Sequence, residues 1–437
     1  MSLSAINNTP KVFIASSSSR NSAARPAEAE LQTASDSVSL GNGPAPSPSN
    51  PAGPTDPQQP QQPPLKKWTV MVYSCSDNNL YRFMQEDLNE SEKVGSTDQM
   101  NVIAYTDHRP KGGNAGFYEV KQNDTPGFTS PVLVDRGNRN LGDPNELSEF
   151  IQWGMKNYPA ENFMVIMSDH GGAWQGGMSD DGSGGMMSTP QIEAGLKSAR
   201  EATGRQIDVL GFDACLMANM EVAHQLKDEA KFMVASEETE GGAGWQYNRV
   251  LSKTMLEGAD MAMRARLDYT PREMVEGVVR MAQANQGDLA TMTAIDMSKV
   301  GALNAAVNDF GNALLATSVP NKDLSATASK SQGFYMEKDL FDFANKVSTG
   351  FGGADANLKT AAEGVKTAIT DAIVAEQHSG KYPGAHGITI ELNKQYAGVT
   401  QSNNPDPGFH AERSGGYSDL KFAKENSFDD AVRKFRS

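Results

Sequence analysis

The chain has 437 residues, with 39 Lys and Arg against 54 Asp and Glu for a formal net charge of −15, enough length for one large domain or two ordinary ones. Such acidity speaks against nucleic acid or an anionic membrane surface as partner, and a basic peptide is drawn to it only weakly at long range in physiological salt. Two cysteines, Cys75 and Cys215, cannot build a disulfide framework, and no apolar run reaches the length of a membrane span.

Residues 1–64 are rich in Ser, Ala, Pro, Asn and Gln and end in PTDPQQPQQPPL. This composition cannot bury enough apolar surface to offset the entropy of ordering it, so a disordered tail is expected. Its apolar patch VFIA (12–15) is too short for a signal-peptide core and follows no positive segment. The expectation is therefore a cytoplasmic protein, or one exported by a non-classical route.

The folded part is expected over 65–437, with a catalytic core over about 65–256 and a C-terminal α/β part over about 257–437. WTVMVYS (68–74) reads as a buried strand, followed by a helix with Leu80, Phe83, Met84 and Leu88 on one face. NVIAYTD (101–107) is a second strand, 108–131 a Gly- and Pro-rich hairpin or loop, VLVD (132–135) a short strand, and 144–158 a helix opened by Pro144. FMVIMSD (163–169) is continuously apolar, as a central parallel strand is. A flexible loop over 171–188, a helix from Thr189 as N-cap to about Thr203, the strand IDVLGFD (207–213), a helix over 215–229 and the strand KFMVASEE (231–238) follow. Beyond them, helical patterns cover about 271–285, 297–316, 337–347 and 358–376, with strand-like TMTAID (291–296) and GITIEL (387–392) between them. The alternation predicts an α/β fold with a largely parallel sheet.

Two apolar runs end in reactive groups. The first delivers Asp169 and His170, the second Asp213 and Cys215. Open α/β sheets build their sites at the carboxyl ends of strands, and an imidazole and a thiol there are the parts of a cysteine nucleophile system. A helix beginning at Cys215 would lower the thiol pKa through its macrodipole. The amides of Gly171 and Cys215 could form an oxyanion hole. The bland alternative is a packed core cysteine beside an ordinary His-Gly pair. His386-Gly387 repeats the dipeptide but precedes a strand, at the wrong end. His224 falls mid-helix, and His108 and His378 sit in loops without a partner motif. There is no Gly-Lys-Ser/Thr phosphate loop, no Gly-x-Ser-x-Gly and no His-Glu-x-x-His. Asp180 and Asp181 lie among glycines in SDDGSGG (179–185), where calcium could sit or the loop could simply be solvated.

These residues resemble the clostripain family of cysteine peptidases, in WTVMVYSCSDNNLYRFMQEDLNE, FMVIMSDHGGAW, FDACLMANMEVA and VASEE followed by Gly-Trp-x-Tyr. The resemblance implies a caspase-like α/β/α sandwich, a His170/Cys215 dyad and cleavage after Arg or Lys at P1. It also implies that Asp213 contributes to an acidic S1 pocket, where a carboxylate pairs with a substrate cation; the alternative role for Asp213 is to brace the turn. The partners expected are proteins or peptides with exposed Arg or Lys, and no cofactor is required, calcium being optional. The substrate is expected to lie extended along Ser236, Glu237 and Glu238 by strand addition, with Trp245 walling a subsite or packing in the core.

The chain departs from the family pattern in the loop beyond the histidine, where relatives are commonly cut by themselves after a basic residue. No Lys or Arg occurs between Gly171 and Leu196, and Lys197 falls in a predicted helix, so self-cleavage there is not expected. Ala243 stands where a further acidic S1 residue could be needed, which leaves Glu238 or Glu240 to substitute. Trimming of the tail at Arg20, Arg25 or Lys66-Lys67 is a separate possibility. The rival readings are a catalytically silent caspase-fold partner-binding protein and a hydrolase or transferase acting on non-peptide substrates.

Overall fold

The computed structural model describes residues 65–107, 113–182, 185–251, 269–287, 291–335, 337–393 and 416–437. The tail expected over 1–64, the loop at 108–112 and the boundary near 256 lie outside the described residues.

The strands, in chain order, are β1 (Lys66–Ser74), β2 (Met100–Asp107), β3 (Ala115–Glu119), β4 (Val132–Gly137), β5 (Ala160–Ser168), β6 (Gly177–Asp180), β7 (Gly185–Met187), β8 (Ile207–Asp213), β9 (Ala230–Ala235), β10 (Thr291–Asp296), β11 (Gly333–Phe334), β12 (Glu337–Asp339), β13 (Ile373–His378) and β14 (Thr389–Ile390). Nine of them form one sheet in the order β13-β10-β9-β8-β5-β1-β2-β3-β4. The five central strands, β9-β8-β5-β1-β2, run parallel. Antiparallel pairs finish both edges, β10 and β13 on one side and β3 and β4 on the other.

The central strands are apolar throughout because both of their faces are covered. Met71, Tyr73, Ile103, Tyr105, Val165, Met167, Leu210 and Phe212 belong to one apolar cluster. Their neighbours Val70, Val72, Val102, Ala104, Met164, Ile166 and Val209 belong to the other. This is the two-residue period of a strand packed on both sides. The first face receives α2 (Pro144–Asn157) and α3 (Thr189–Thr203) through Leu147, Phe150, Ile151, Ile192 and Leu196. The second receives α1 (Tyr81–Glu92) through Leu88 and the helix Pro271–Gln286 through Met274, Val275 and Val278. Each such side chain stabilises the fold by roughly 1.5–3 kcal/mol when fully buried. The result is the expected α/β/α sandwich. The C-terminal half is not a separate layer, since β10 and β13 extend the same sheet.

Several local expectations are resolved or change. Of the hairpin or loop expected over 108–131, the hairpin alternative holds: the stretch contains β3, antiparallel to β2 and β4, with Phe117 and Tyr118 buried. The helix expected to 376 ends at Ala372, and the chain passes directly into β13. GITIEL contributes only the short β14, in a separate three-stranded sheet with β11 and β12. The loop expected over 171–188 is largely a buried hairpin of β6 and β7, with Ala173, Trp174, Met178, Met186 and Met187 all in the interior. Helix α3 is capped by Ser188, not Thr189, through a reciprocal capping box with Gln191. Among the described residues no helix is long and apolar enough to cross a membrane.

The most consequential change is at Cys215. The helix expected there, α4, runs only from Met220 to Leu226. Leu216 takes a positive φ of 67°, which no helix continues. The Leu216 and Ala218 amides donate to the carbonyls of Glu238 (3.2 Å) and Ser236 (2.9 Å). Asn219 then caps the helix, its side chain accepting from the Val222 amide at 3.2 Å. Asn219→Ala should therefore lower unfolding free energy by about 1–2 kcal/mol, measured by urea denaturation. A loss under about 0.5 kcal/mol, the level of an inert surface change, would refute this account of where the helix begins.

Candidate active site

Parallel pairing sets the strand ends level. Ser74 stands opposite Ser168, and Ser168 opposite Asp213. The Asp169 amide then donates to the Asp213 carbonyl at 3.2 Å, so the chain segments carrying His170 and Cys215 leave the sheet side by side. A glycine is required at 171. A Cβ there would lie 2.1 Å from the Cys215 carbonyl oxygen, closer than any contact allows.

His170 and Cys215 line one cavity of about 200 Å³. Its wall is completed by Leu80, Phe83, Met84 and Asp87 of the α1 segment and by Glu240, Gly241, Gly242 and Gly244. Asp213 also lines it, 6 % exposed. Among the described residues no hydrogen bond joins the thiol to the imidazole. Cys215 Sγ accepts from the Glu240 amide at 3.3 Å, and His170 Nε2 pairs with Asn79 Oδ1 at 2.7 Å. An amide oxygen only accepts, so with Asn79 oriented this way the contact favours the tautomer that carries its proton on Nε2 and leaves Nδ1 as the basic nitrogen. Asn79, which sequence reasoning passed over, thus favours this tautomer; the Asp-Asn-Asn run before α1 is the signal that could have found it.

Asp169 anchors this arrangement. Its carboxylate accepts from Asn78 Nδ2 at 2.7 Å, from the Ser179 amide and from the His170 amide. Burial nonetheless pushes its pKa well above the usual carboxylate range. Burial acts on the reactive pair too. It lowers the His170 imidazole, against a partial opposing pull from Asp181. It raises the Cys215 thiol, with the Glu240 amide pulling the other way and Asp213 adding to the rise. Both shifts favour the neutral forms. The expected helix dipole at Cys215 is absent, because α4 starts five residues later.

Asp213, two residues before the nucleophile candidate, lines the same cavity. Its Oδ2 accepts from Tyr247 Oη at 2.8 Å, and the Trp245 amide and the side chains of Ser168 and Glu240 also bond it. Burial still raises its pKa.

Other sequence candidates are placed differently. Ser236, Glu237 and Glu238 are buried. The Ser236 and Glu238 carbonyls are taken by Ala218 and Leu216, and the Glu238 amide donates to Thr291 Oγ1 at 3.0 Å. These groups are not an open edge for an added strand, which corrects that expectation. Trp245 is 3 % exposed and lies in the core beneath the sheet. A Cβ on Gly211 would sit 2.7 Å from its ring, so it packs rather than walls a subsite; only its amide reaches the site. Asp180 is buried and accepts from the Leu141 amide at 3.0 Å, while Asp181 is exposed. Among the described residues no group of three or more acidic, His or Cys side chains could hold a metal ion. His386 is remote from the cavity lining, stacked on Phe341 at 4.2 Å between ring centres.

The profile of the clostripain family matches residues 72–399. This chain belongs to the clostripain family. Clostripain from Hathewaya histolytica is 23% identical over 339 residues, 65% of this chain and 62% of the relative, so the chain spans less than two thirds of that protein's length. The fold is similar to a secreted C11 cysteine protease from Bacteroides thetaiotaomicron in complex with an irreversible peptide inhibitor, with TM-score 0.56 and 21% identity over 75% of this chain and 92% of that one. It is also similar to an inactive zymogen C11 protease from Parabacteroides distasonis, with TM-score 0.57 and 18% identity over 83% and 99%. These structural likenesses extend to the architecture.

The neutral resting pair of this clostripain-family chain has a direct signature. The rate at which iodoacetamide alkylates Cys215 should keep climbing between about pH 6 and about pH 9, because the thiolate fraction grows over that whole range. A plateau reached below about pH 7 would instead indicate a preformed thiolate–imidazolium pair. Cys75 is fully buried and adds no background to the native protein's alkylation.

Proposed function

We propose that this chain is a cysteine endopeptidase that cleaves peptide bonds after Arg or Lys through a His170/Cys215 dyad. The observation that carries the reading is the shared cavity, whose wall holds the Cys215 thiol, the His170 imidazole and the buried carboxylate of Asp213. Family membership supports the chemistry. The excess of acidic over basic residues suits basic substrates.

The route follows from the groups present. The substrate's cationic P1 side chain enters the cavity and meets Asp213. This brings the scissile carbonyl to Cys215 Sγ. The imidazole, neutral because it is desolvated, takes the thiol proton at its unprotonated Nδ1. The thiolate attacks the carbonyl carbon, and the amides of Gly171 and Cys215 receive the oxyanion. The imidazolium returns the proton to the leaving amine, which leaves a thioester. A water, deprotonated by the same imidazole, hydrolyses it and frees the acid. Asn79 holds the ring in the tautomer that this sequence requires.

Absence of Lys and Arg between Gly171 and Leu196, together with Lys197 inside α3, goes with a peptidase that is not activated by a cut of its own in that loop.

The test is hydrolysis of a peptide panel varied at P1, with wild type, Cys215→Ala, Asn79→Ala and Asp213→Asn. Wild type should cleave after Arg or Lys and Cys215→Ala not at all. Asn79→Ala should lower kcat by roughly 10- to 100-fold, the lower range of general-base effects. Asp213→Asn should reduce kcat/KM by roughly 10- to 100-fold for basic P1 residues, the worth of one charged hydrogen bond. No cleavage of any peptide by a folded wild type, with or without calcium, would leave the partner-binding reading in its place. Turnover of small esters alone would favour the non-peptide hydrolase.

A further inference from the structure

Helix α1 delivers a further carboxylate to the cavity, whose lining already holds Asp213 and Glu240. The helix's Asp87 is 8 % exposed and lines the same space as Asp213 and Cys215. The two carboxylates converge on one point. A Cβ placed on Gly244 would stand 3.0 and 3.2 Å from the two oxygens of Asp213 and 3.1 Å from Asp87 Oδ2. Gly244 has a φ of +51° and no side chain, so its absence of bulk leaves that point open.

Asp213 is held by Tyr247, Ser168, the Glu240 side chain and the Trp245 amide. Asp87 is not. Among the described residues no hydrogen-bond donor or cation meets its side chain, although its surroundings are almost dry. Every charged group acting on it there is acidic: Asp213 from the end of β8, and Glu90 and Glu86 from its own helix. A buried, unpartnered carboxylate is costly unless something cationic completes it. The chain supplies nothing of the kind among its described residues, and the cavity into which the group faces leads to the nucleophile.

We infer that Asp87 is a specificity residue of the S1 pocket, clasping the cationic P1 side chain together with Asp213. This rests on the proposed cleavage after Arg or Lys and adds to it a residue from α1, which no feature near the nucleophile's strand would reveal. A guanidinium suits the arrangement because its planar fork can donate to two carboxylates at once. Beside Ala243, Glu240 lines the cavity and its side chain bonds Asp213, so the carboxylate added for the substrate cation is that of Asp87 on α1.

This convergence of carboxylates has a consequence of its own. Two desolvated carboxylates facing one another cannot both stay ionised. Burial and Asp213 raise the Asp87 pKa well above the usual carboxylate range, and burial raises Asp213. The facing groups are Asp213, Glu86, Glu90 and Glu240 among the acids, the Tyr247 hydroxyl on Asp213, and His170 and Cys215 in the same lining. An arriving cation lowers the pair's pKa, so a proton leaves as the ligand binds. Affinity for a cation therefore strengthens as pH rises through the pair's titration and weakens as pH falls.

The experiment compares wild type, Asp87→Asn and Asp213→Asn by P1 profiling and by calorimetry with benzamidine, an arginine side-chain mimic, in two buffers of different ionisation enthalpy. Circular dichroism checks each fold. The proposal expects Asp87→Asn to lose roughly 10- to 100-fold in kcat/KM for Arg and Lys at P1, with little change for an uncharged P1 residue in the same panel. It also expects proton release on benzamidine binding to wild type, reduced in Asp87→Asn. Unchanged Arg and Lys cleavage in a folded Asp87→Asn protein, while Asp213→Asn loses it, would overturn the role of Asp87 and leave the peptidase reading standing. Failure of wild type to cleave after basic residues would overturn both. Should Asp87→Asn not fold, wild type alone still decides: benzamidine binding with no proton exchanged at any pH between about 5 and about 8, the span over which such raised carboxyls titrate, would contradict the shared-proton pocket.

Discussion

One backbone contact governs the geometry of the whole site: Gly171 lies so close to the Cys215 carbonyl that no side chain fits between them. That closeness follows from the parallel pairing of β5 and β8, which sets Ser168 opposite Asp213, and from the Asp169 amide donating to the Asp213 carbonyl. With the strand ends fixed in this way, the residues just beyond them share a surroundings. The imidazole, the thiol and the Asp213 carboxylate then occupy one cavity without any long loop having to carry them there. The rigid scaffold positions the chemistry, and the loops around it close the wall.

The second governing influence is dehydration. The same burial that positions these groups pushes the thiol up, the imidazole down and the carboxylates up. The resting site is thus biased toward uncharged forms. Under the proposed function, a cationic side chain entering the cavity would restore charge to the pocket carboxylates, while a bound carbonyl would give the thiol proton a reason to move. In that proposal, substrate binding and activation of the nucleophile are linked through electrostatics rather than through a preformed ion pair.

Much of this architecture was legible from residue patterns. The apolar runs around Val70, Ile166 and Leu210 are buried on both faces, so their unbroken hydrophobicity marks central parallel strands. His170 and Cys215 stand at the carboxyl ends of two such runs, and a sheet's topology brings those ends together. What escaped detection depended on tertiary contacts. The helix expected to start at Cys215 is prevented by the positive φ of Leu216 and by amides tied to Ser236 and Glu238. Those same ties remove Ser236–Glu238 from the role of an open edge. Trp245 lies near the site in sequence but turns under the sheet onto Gly211. Asp87, conversely, lies far from the nucleophile in sequence, and helical periodicity marks Leu88 and Met84 as core without saying that Asp87 faces a cavity. Asn79 is invisible for a similar reason, since only the folded approach of the α1 segment to His170 gives it a partner.

The central claim is that Cys215 is a nucleophile addressed through a cation-binding pocket. Its most direct measurement is covalent trapping with an arginyl chloromethyl ketone, followed by peptide mapping in a mass spectrometer. The account predicts one adduct per chain, on Cys215, slowed by benzamidine. An unlabelled Cys215 in a folded protein that iodoacetamide still alkylates there, or labelling indifferent to benzamidine, would contradict it.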